Sequence, residues 1–187
     1  MKVKFNDAGL VPMIVQDATS GVVLSLFYAN EDAVKKTKET GYLWRYSRSR
    51  KKLMKKGEES GNFMKVVSLS EDCDSDALLV KVKPEGPACH TGSYSCFGEK
   101  KRILCELIEV IKDRKANPKK DSFTSSIVSD RSKIIAKLRE ECEELIDAEK
   151  PSDIKWEAAD LLFFMLVYLE NRQISFEDVL TELRKRR

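Results

Sequence analysis

The sequence contains very little histidine and no long hydrophobic run. Only one of its 187 residues is histidine, and the longest apolar stretch, Leu161 to Leu169, is about half the length of a membrane span. The N-terminus does not resemble a signal peptide, because Asn6 and Asp7 precede any apolar stretch. We therefore expect a soluble, cytoplasmic protein that does not bind a membrane.

A strong charge of one sign is also absent, and cysteine is present in an odd number. The chain has 34 Lys and Arg against 31 Asp and Glu, a net charge of +3 that argues against a general nucleic-acid binder. Its 42% hydrophobic content excludes a disordered chain, and its length suits one large or two small domains. Because the chain has five cysteines and no export signal, we do not expect disulfides. Metal binding or catalysis is the first role to consider for these cysteines.

Glycine is missing after Gly98, where the hydrophobic pattern also changes. Before this point, short alternating or apolar runs between turn signals predict strands and one helix. These are expected at residues 11–15, 22–28, 64–69 and 77–82, with the helix from Asn30 to Glu39. After it, apolar residues recur with helical period. We expect an α+β domain over residues 1–98 and an all-α domain over residues 99–187.

Four helices are predicted in the second domain. They are expected from about Lys101 to Lys115, from Ser129 or Asp130 onward, from after Ser152 to about Asn171, and after Ser175. Residues 175–178 are typical of a capping box, in which two side chains satisfy free backbone groups at a helix start. The run from Leu161 to Leu169 is apolar on all sides, which indicates a helix buried in a bundle or a dimer.

Three aspartates, Asp72, Asp74 and Asp76, alternate with other residues after a predicted strand. If the segment is extended, their carboxylates point to one side and Cys73 to the other. Carboxylates this close repel unless a cation joins them, and oxygen ligands suit Mg²⁺ or Ca²⁺. The alternative is an acidic loop exposed to solvent.

Three cysteines, Cys73, Cys89 and Cys96, lie within one short stretch, which suits Zn²⁺ in a reducing compartment. Three protein ligands leave a position for water, whose pKa then approaches about 7. Buried structural cysteines are the alternative. The single histidine, His90, is either a fourth ligand or a general base, and its position among thiols and carboxylates favours the base.

A basic and aromatic stretch covers residues 42–52 and is followed by a second basic segment at residues 55–62. Aromatic side chains between Arg, Lys and Ser can stack on bases and hold phosphates. This stretch could bind a nucleic acid, or it could be a basic face exposed to solvent. The small net charge favours a third interpretation, in which it binds a phosphate-bearing small molecule.

Acidic side chains lie on apolar faces of two predicted helices. Glu141 follows Ile134 by seven residues and therefore points almost the same way, with Glu144 one turn further. Glu157 and Asp160 form a second i, i+3 pair. Because unpaired buried acids are costly, two such pairs on facing helices can hold Mg²⁺. A solvated charged face is the alternative, and it suits the neighbouring acids at positions 140 and 143.

Residues 10–97 resemble phosphoribosyl-AMP cyclohydrolase of histidine biosynthesis. The matching segments cover residues 10–17, 44–50, 56–62, 72–78, 86–92 and 95–97, and include Gly86-Pro-Ala-Cys-His-Thr-Gly92. The resemblance implies magnesium at the three aspartates and zinc at the three cysteines, with Cys73 contributed across a dimer interface. It also implies a catalytic role for His90. The implied substrate-binding residues are Trp44, Ser47, Arg48, Ser49, Arg50, Lys56, Glu58, Ser60 and Asn62. Met54 and Met64 depart from the usual Trp and Gln.

Residues 101–186 resemble phosphoribosyl-ATP pyrophosphohydrolase, an all-α nucleoside triphosphate pyrophosphohydrolase. The family's EExxE…ExxD pattern is present at residues 140–144 and 157–160, and residues 113–115 and 122–124 match as well. Phe163-Phe164 departs from a common Tyr-His. The implied magnesium ligands are Glu140, Glu141, Glu144, Glu157 and Asp160. Glu141 and Asp160 are implied to be catalytic, and Arg114 to bind substrate.

Together the two resemblances imply a bifunctional hydrolase that uses Zn²⁺ and Mg²⁺ and forms a homodimer. The second domain would hydrolyse phosphoribosyl-ATP to phosphoribosyl-AMP and pyrophosphate, and the first would open the adenine ring between N1 and C6. No nucleic-acid partner is expected, because a zinc-stabilised nucleic-acid binder leaves the acidic helices unexplained. A general nucleoside triphosphate pyrophosphohydrolase with a structural zinc domain is the other alternative, and it has no use for His90 or the aspartates.

Overall fold

The computed structural model describes residues 2–187 and separates the chain into two compact units, Met1–Cys105 and Glu106–Arg187. Among the described residues, the first unit contains strands, one complete helix and the start of a second, and the second unit contains only helices. This order confirms the predicted fold class, an α+β domain followed by an all-α domain. Within the described residues, no helix combines the length and the apolar character needed to cross a membrane.

The first unit is built on a four-stranded sheet and a separate hairpin. Its elements are β1 (Val11–Asp17), β2 (Val23–Ala29), α1 (Glu31–Thr40), β3 (Trp44–Ser47), β4 (Lys52–Lys55), β5 (Met64–Glu71) and β6 (Leu78–Pro84). The sheet has the order β2-β1-β6-β5, in which β1 and β6 are parallel and the other pairs antiparallel. β3 and β4 are antiparallel and form a separate two-stranded sheet.

Alternation of apolar side chains places the core of this unit on one face of the sheet. In β1, Val11, Met13 and Val15 are fully buried, while Ile14 between them is exposed. The predicted helix begins where expected, because the Asn30 side chain accepts a hydrogen bond from the backbone N–H of Ala33. The four predicted strands and this helix are confirmed.

The second unit is an assembly of helices. They are α2 (Ile103–Ala116), α3 (Phe123–Ile127), α4 (Arg131–Asp147), α5 (Pro151–Asn171) and α6 (Phe176–Lys185). α4 and α5 pack on each other as a helical hairpin joined by residues 148–150. Asp130 caps α4 by accepting the N–H groups of Ser132 and Lys133, and Ser175 forms the expected capping box with Asp178.

Four features differ from the sequence expectations. The hairpin β3–β4 and the short helix α3 were not predicted, and α5 begins at Pro151, whereas its start was expected after Ser152. The segment from Asp72 to Ala77 is a turn between β5 and β6 instead of an extended strand, because Ser75 adopts a left-handed conformation with φ of 66°. Its aspartates cluster on this turn instead of alternating along a strand.

Two candidate active sites

The first unit contains a cavity of about 350 Å³ that brings together thiols, the single imidazole and basic side chains. Cys89, His90 and Cys96 line one part of it. Of the predicted substrate-binding residues, the following line it as well: Lys56, Glu58, Ser60 and Asn62. Arg45, which was not among the predicted site residues, also lines the cavity.

The loop carrying the two thiols is fixed to the β1–β2 hairpin. The Cys96 backbone N–H donates to the Leu24 carbonyl at 2.8 Å, and the Ser95 hydroxyl donates to the Val23 carbonyl at 2.7 Å. Within the loop, the Cys89 N–H donates to the carbonyl of Ser93 at 3.1 Å. The thiols therefore sit on a segment that is held by backbone carbonyls of β2 and not on a free loop.

The Cys89 thiol is polarised by its neighbours. The Thr91 hydroxyl donates a hydrogen bond of 3.1 Å to Cys89 Sγ, and the hydrogen bonds from Thr91 are the main cause that lowers the pKa of this thiol. His90 Nδ1 lies 3.8 Å from the same sulfur. A lowered pKa favours the thiolate, which is the form that binds metals.

The segment from Lys56 to Asn62 forms another wall of the cavity through a tight loop. Gly57 has φ of +97°, and a Cβ atom on it would lie 2.6 Å from the backbone of Asn62. Gly86 lies against the side chain of the same asparagine, so a Cβ atom there would overlap Asn62 Oδ1. Burial lowers the pKa of Lys56, as does the charge of Arg45.

The other predicted substrate-binding residues lie on or beside the β3–β4 hairpin and do not line this cavity. They are Trp44, Ser47, Arg48, Ser49 and Arg50. The Arg48 guanidinium lies 3.9 Å from the ring centroid of Tyr28, and Arg50 is paired with Glu59. The Trp44 indole donates a hydrogen bond of 3.0 Å to the Thr40 hydroxyl.

The three aspartates form an exposed cluster in which one carboxylate oxygen from each lies within 4.8 Å of the others. Asp72 accepts the N–H of Ala77 at 3.1 Å, which lowers the pKa of Asp72, while the charge of Asp74 raises the pKa of Asp76. Cys73 lies on this turn and does not line the cavity with Cys89 and Cys96. Among residues 2–187, the three thiols of one chain do not come together as a ligand group.

The second unit brings three predicted acids together between α4 and α5. Oxygens of Glu141, Glu157 and Asp160 lie within 4.8 Å of one another, and Glu141 is only 5% exposed. Partial burial is the main cause that raises the pKa of Glu157, and the charges of Glu144, Glu141 and Asp160 add to it. Such a cluster of acids is suited to a divalent cation with oxygen ligands.

A lysine already contacts this acid cluster. Lys137 Nζ lies 3.1 Å from Glu141 Oε1 and 2.8 Å from Glu140 Oε1. Glu140 and Glu144 are exposed and lie outside the group of three acids. Arg114 is paired with the adjacent Asp113. Lys137 was not among the predicted site residues, although its i, i+4 spacing from Glu141 is a signal in the sequence that indicates this contact.

Two family models match this chain in succession. The model for phosphoribosyl-AMP cyclohydrolase matches residues 25–98, and the model for phosphoribosyl-ATP pyrophosphohydrolase matches residues 104–187. Each unit is therefore matched by a different family model. The thiol cavity lies in the region matched by the first model, and the acid cluster lies in the region matched by the second. The resemblance to both families, based on motifs alone, is confirmed.

Several relatives match this chain over nearly its full length, so each match extends through both units. The histidine biosynthesis bifunctional protein HisIE of Bacillus subtilis is 46% identical, over 99% of this chain and 95% of its own. The corresponding proteins of Pyrococcus furiosus and Aquifex aeolicus are 48% and 41% identical and cover 96% and 100% of this chain, and 92% and 98% of their own length. Because such identity extends through both units, the protein belongs to the family of histidine biosynthesis bifunctional proteins.

Proposed function

We propose that this protein is a bifunctional hydrolase that catalyses two successive steps of histidine biosynthesis. Residues 99–187 hydrolyse phosphoribosyl-ATP to phosphoribosyl-AMP and pyrophosphate, and residues 1–98 then open the adenine ring between N1 and C6. The observation that carries the proposal is the presence, in separate units, of a thiol–imidazole cavity and a partly buried acid cluster. Because zinc-binding thiols must stay reduced, we place this activity in the cytoplasm.

In the first unit, Cys89 and Cys96 fit a zinc ion, since both thiols line one cavity and the Cys89 pKa is lowered. When bound, zinc supplies a Lewis acid that activates water. His90 accepts a proton from the attacking water and returns a proton to N1 as the bond from N1 to C6 breaks. Lys56, Glu58, Ser60 and Asn62 hold the substrate in the cavity.

The third zinc ligand, Cys73, comes from a second copy of the chain. Its position outside the cavity of its own chain supports this proposal. An apolar patch on the outer face of the sheet supports a homodimer as well, because Ile14 and Leu26 pair across β1 and β2 and both remain exposed.

Asp72, Asp74 and Asp76 would bring a Mg²⁺ ion next to Cys73. The β3–β4 hairpin would add substrate contacts through Trp44, Ser47, Arg48, Ser49 and Arg50.

In the second unit, Glu141, Glu157 and Asp160 fit Mg²⁺, because their carboxylate oxygens converge and are only partly accessible to solvent. Glu140 and Glu144 extend this acidic set toward solvent. When bound, Mg²⁺ offsets the negative charge of the triphosphate. Glu141 and Asp160 orient the water that attacks, and Arg114 binds a phosphate of the substrate.

The decisive experiment supplies the purified protein with phosphoribosyl-ATP, zinc and magnesium. We expect pyrophosphate release followed by the absorbance change of ring opening. Common nucleoside triphosphates serve as matched competitors, because a general pyrophosphohydrolase would cleave them at a similar rate. Cleavage of ATP without a preference for phosphoribosyl-ATP, and without ring opening, would overturn the proposal.

A further inference from the structure

Arg45 is a cation in the wall of the first cavity with an unmet hydrogen-bonding requirement. It lies on β3 opposite Met54 of β4. Its Nε is buried and has no hydrogen-bond partner within the described residues. The guanidinium carbon lies 5.3 Å from the ring centroid of Phe27, and Nη2 lies 4.0 Å from Met54 Sδ. A charged group held between an aromatic ring and a thioether lacks the strong acceptors that usually accompany burial.

Lys56 is a second cation in the same cavity. Its only hydrogen bond among residues 2–187 is a long one of 3.5 Å, donated from Nζ to the Asn62 carbonyl. Neither Lys56 nor Arg45 forms an ion pair within the described part of the chain, and the charge of Arg45 helps to lower the pKa of Lys56. The two positive charges therefore repel each other across the cavity.

The carboxylates that line the cavity have other partners. Glu59 is paired with Arg50, and Glu58 accepts the backbone N–H of Lys55 at 3.1 Å. The charges of the cavity wall thus leave two cations available to an incoming anion. The apolar neighbours Phe27 and Met54 limit the approach of water to the guanidinium, which strengthens binding of an anion there.

We propose that Arg45 is a specificity-determining residue of this cavity, where its guanidinium binds a phosphate group of phosphoribosyl-AMP beside Lys56. This inference rests on the proposed function. The substrate carries two phosphate monoesters, one on the AMP and one on the added ribose. The site must therefore offer positive charge and hydrogen-bond donors to these phosphates. A guanidinium offers two parallel N–H donors to phosphate oxygens, whereas the Lys56 ammonium acts as a point charge.

The test measures ring opening of supplied phosphoribosyl-AMP by the full-length, zinc-loaded protein. In Arg45→Met, the apolar stem is kept and the charge is removed, so we expect KM to rise about 10- to 100-fold while kcat changes less than about threefold. Arg45→Lys keeps the charge without the paired donors, so its KM should lie between that of the parent protein and that of Arg45→Met. Arg102→Met is the matched control, because Arg102 is exposed and does not line this cavity.

A binding measurement separates this inference from the proposed function. Inorganic phosphate, titrated by calorimetry, should bind the parent protein and Arg102→Met, and should bind Arg45→Met at least about tenfold more weakly. If the parent protein opened no ring but showed this pattern, the anion site would stand and the proposed function would fail. An unchanged KM in Arg45→Met with unchanged phosphate binding would overturn the inference. If Arg45→Met did not fold, a parental KM in folded Arg45→Lys would overturn it, and an intermediate KM would support it.

Discussion

The phenolic hydroxyl of Tyr94 donates a hydrogen bond of 2.6 Å to Asp17 Oδ2, and so joins the loop before Cys96 to the end of β1. Asp17 is only 2% exposed. Its other oxygen, Oδ1, accepts the backbone N–H groups of Thr19 at 2.6 Å and Ser20 at 3.0 Å. The buried carboxylate is therefore satisfied only when both segments are in place.

Tyr94→Phe should destabilise the first unit by about 1–3 kcal/mol, because it leaves Asp17 Oδ2 buried without its donor. The chain offers a selective probe, since Trp44 lies in the first unit and Trp156 in the second. Denaturant unfolding is followed by Trp44 fluorescence in a Trp156→Phe background. Tyr46→Phe is the control and should change stability by less than about 0.5 kcal/mol. Equal effects of the two substitutions would contradict the prediction.

Alkaline pH should destabilise the first unit through the same hydroxyl. Burial raises the pKa of Tyr94 above its ordinary value of 10.0, and the hydrogen bond to Asp17 raises it further. The folded state therefore favours the neutral phenol, and its contribution to stability is complete below pH 10.0. This contribution is lost as the pH rises above that value toward the folded-state pKa. Stability should fall more steeply above about pH 10 in the parent protein than in Tyr94→Phe. Parallel pH profiles would show that Tyr94 does not cause the loss.

The two activities should separate by mutation. Glu141→Gln removes a charge from the acid cluster and should lower pyrophosphate release by about 100-fold or more, while supplied phosphoribosyl-AMP is still ring-opened. Asp160→Asn should act in the same way. Cys89→Ser should do the reverse and let phosphoribosyl-AMP accumulate, with reduced zinc content. Loss of both activities in a folded Asp160→Asn protein would contradict the assignment of two separate sites.

Lys137→Met should lower the magnesium concentration needed for half-maximal pyrophosphate release. Lys137 Nζ lies 3.1 Å from Glu141 Oε1, so a metal ion must compete with its positive charge. Because the lysine is partly exposed, we expect a decrease of about two- to fivefold. Lys133→Met is the control, since Lys133 pairs with Asp130 at the start of the same helix. An increased magnesium requirement would mean that Lys137 binds substrate phosphate instead.

Mixing two inactive variants should restore ring opening if the zinc site is shared between chains. Cys73→Ser and Cys89→Ser are each expected to be inactive alone. In a mixed dimer, one of the two sites receives Cys73 from one chain and Cys89 from the other. Refolding the two variants together should then recover about a quarter of the parental activity. No recovery, together with sedimentation as a 21.4 kDa monomer, would show that the site lies within one chain.

Local signals made part of this structure predictable. Glu141 follows Ile134 by two helical turns, and both side chains are buried, as the spacing predicted. The caps at Asn30 and Ser175 were identified because their hydrogen bonds join residues only three positions apart. Such contacts depend on the chain's own sequence over a few residues, and no distant segment is needed to form them.

Other elements depend on contacts that a linear pattern does not contain. β3 and β4 are only four residues long each, and they pair through a turn in which Lys51 has φ of 49°. Their apolar signal is therefore weak, although their pairing creates the position of Arg45. The separation of Cys73 from Cys89 within one chain is likewise a property of the turn after β5, which spacing alone does not reveal.

Asn62 fits between the backbones of Gly57 and Gly86, and this contact limits how the protein can vary. Neither glycine contributes a functional group, yet a side chain at Gly57 would overlap the backbone of Asn62, and one at Gly86 would displace the Asn62 side chain. In a saturation mutagenesis screen for histidine prototrophy, both glycines should therefore tolerate as few substitutions as Cys89. Substitutions at these two positions would prevent growth because they change the shape of the cavity. From growth alone, the two glycines could not be distinguished from catalytic residues.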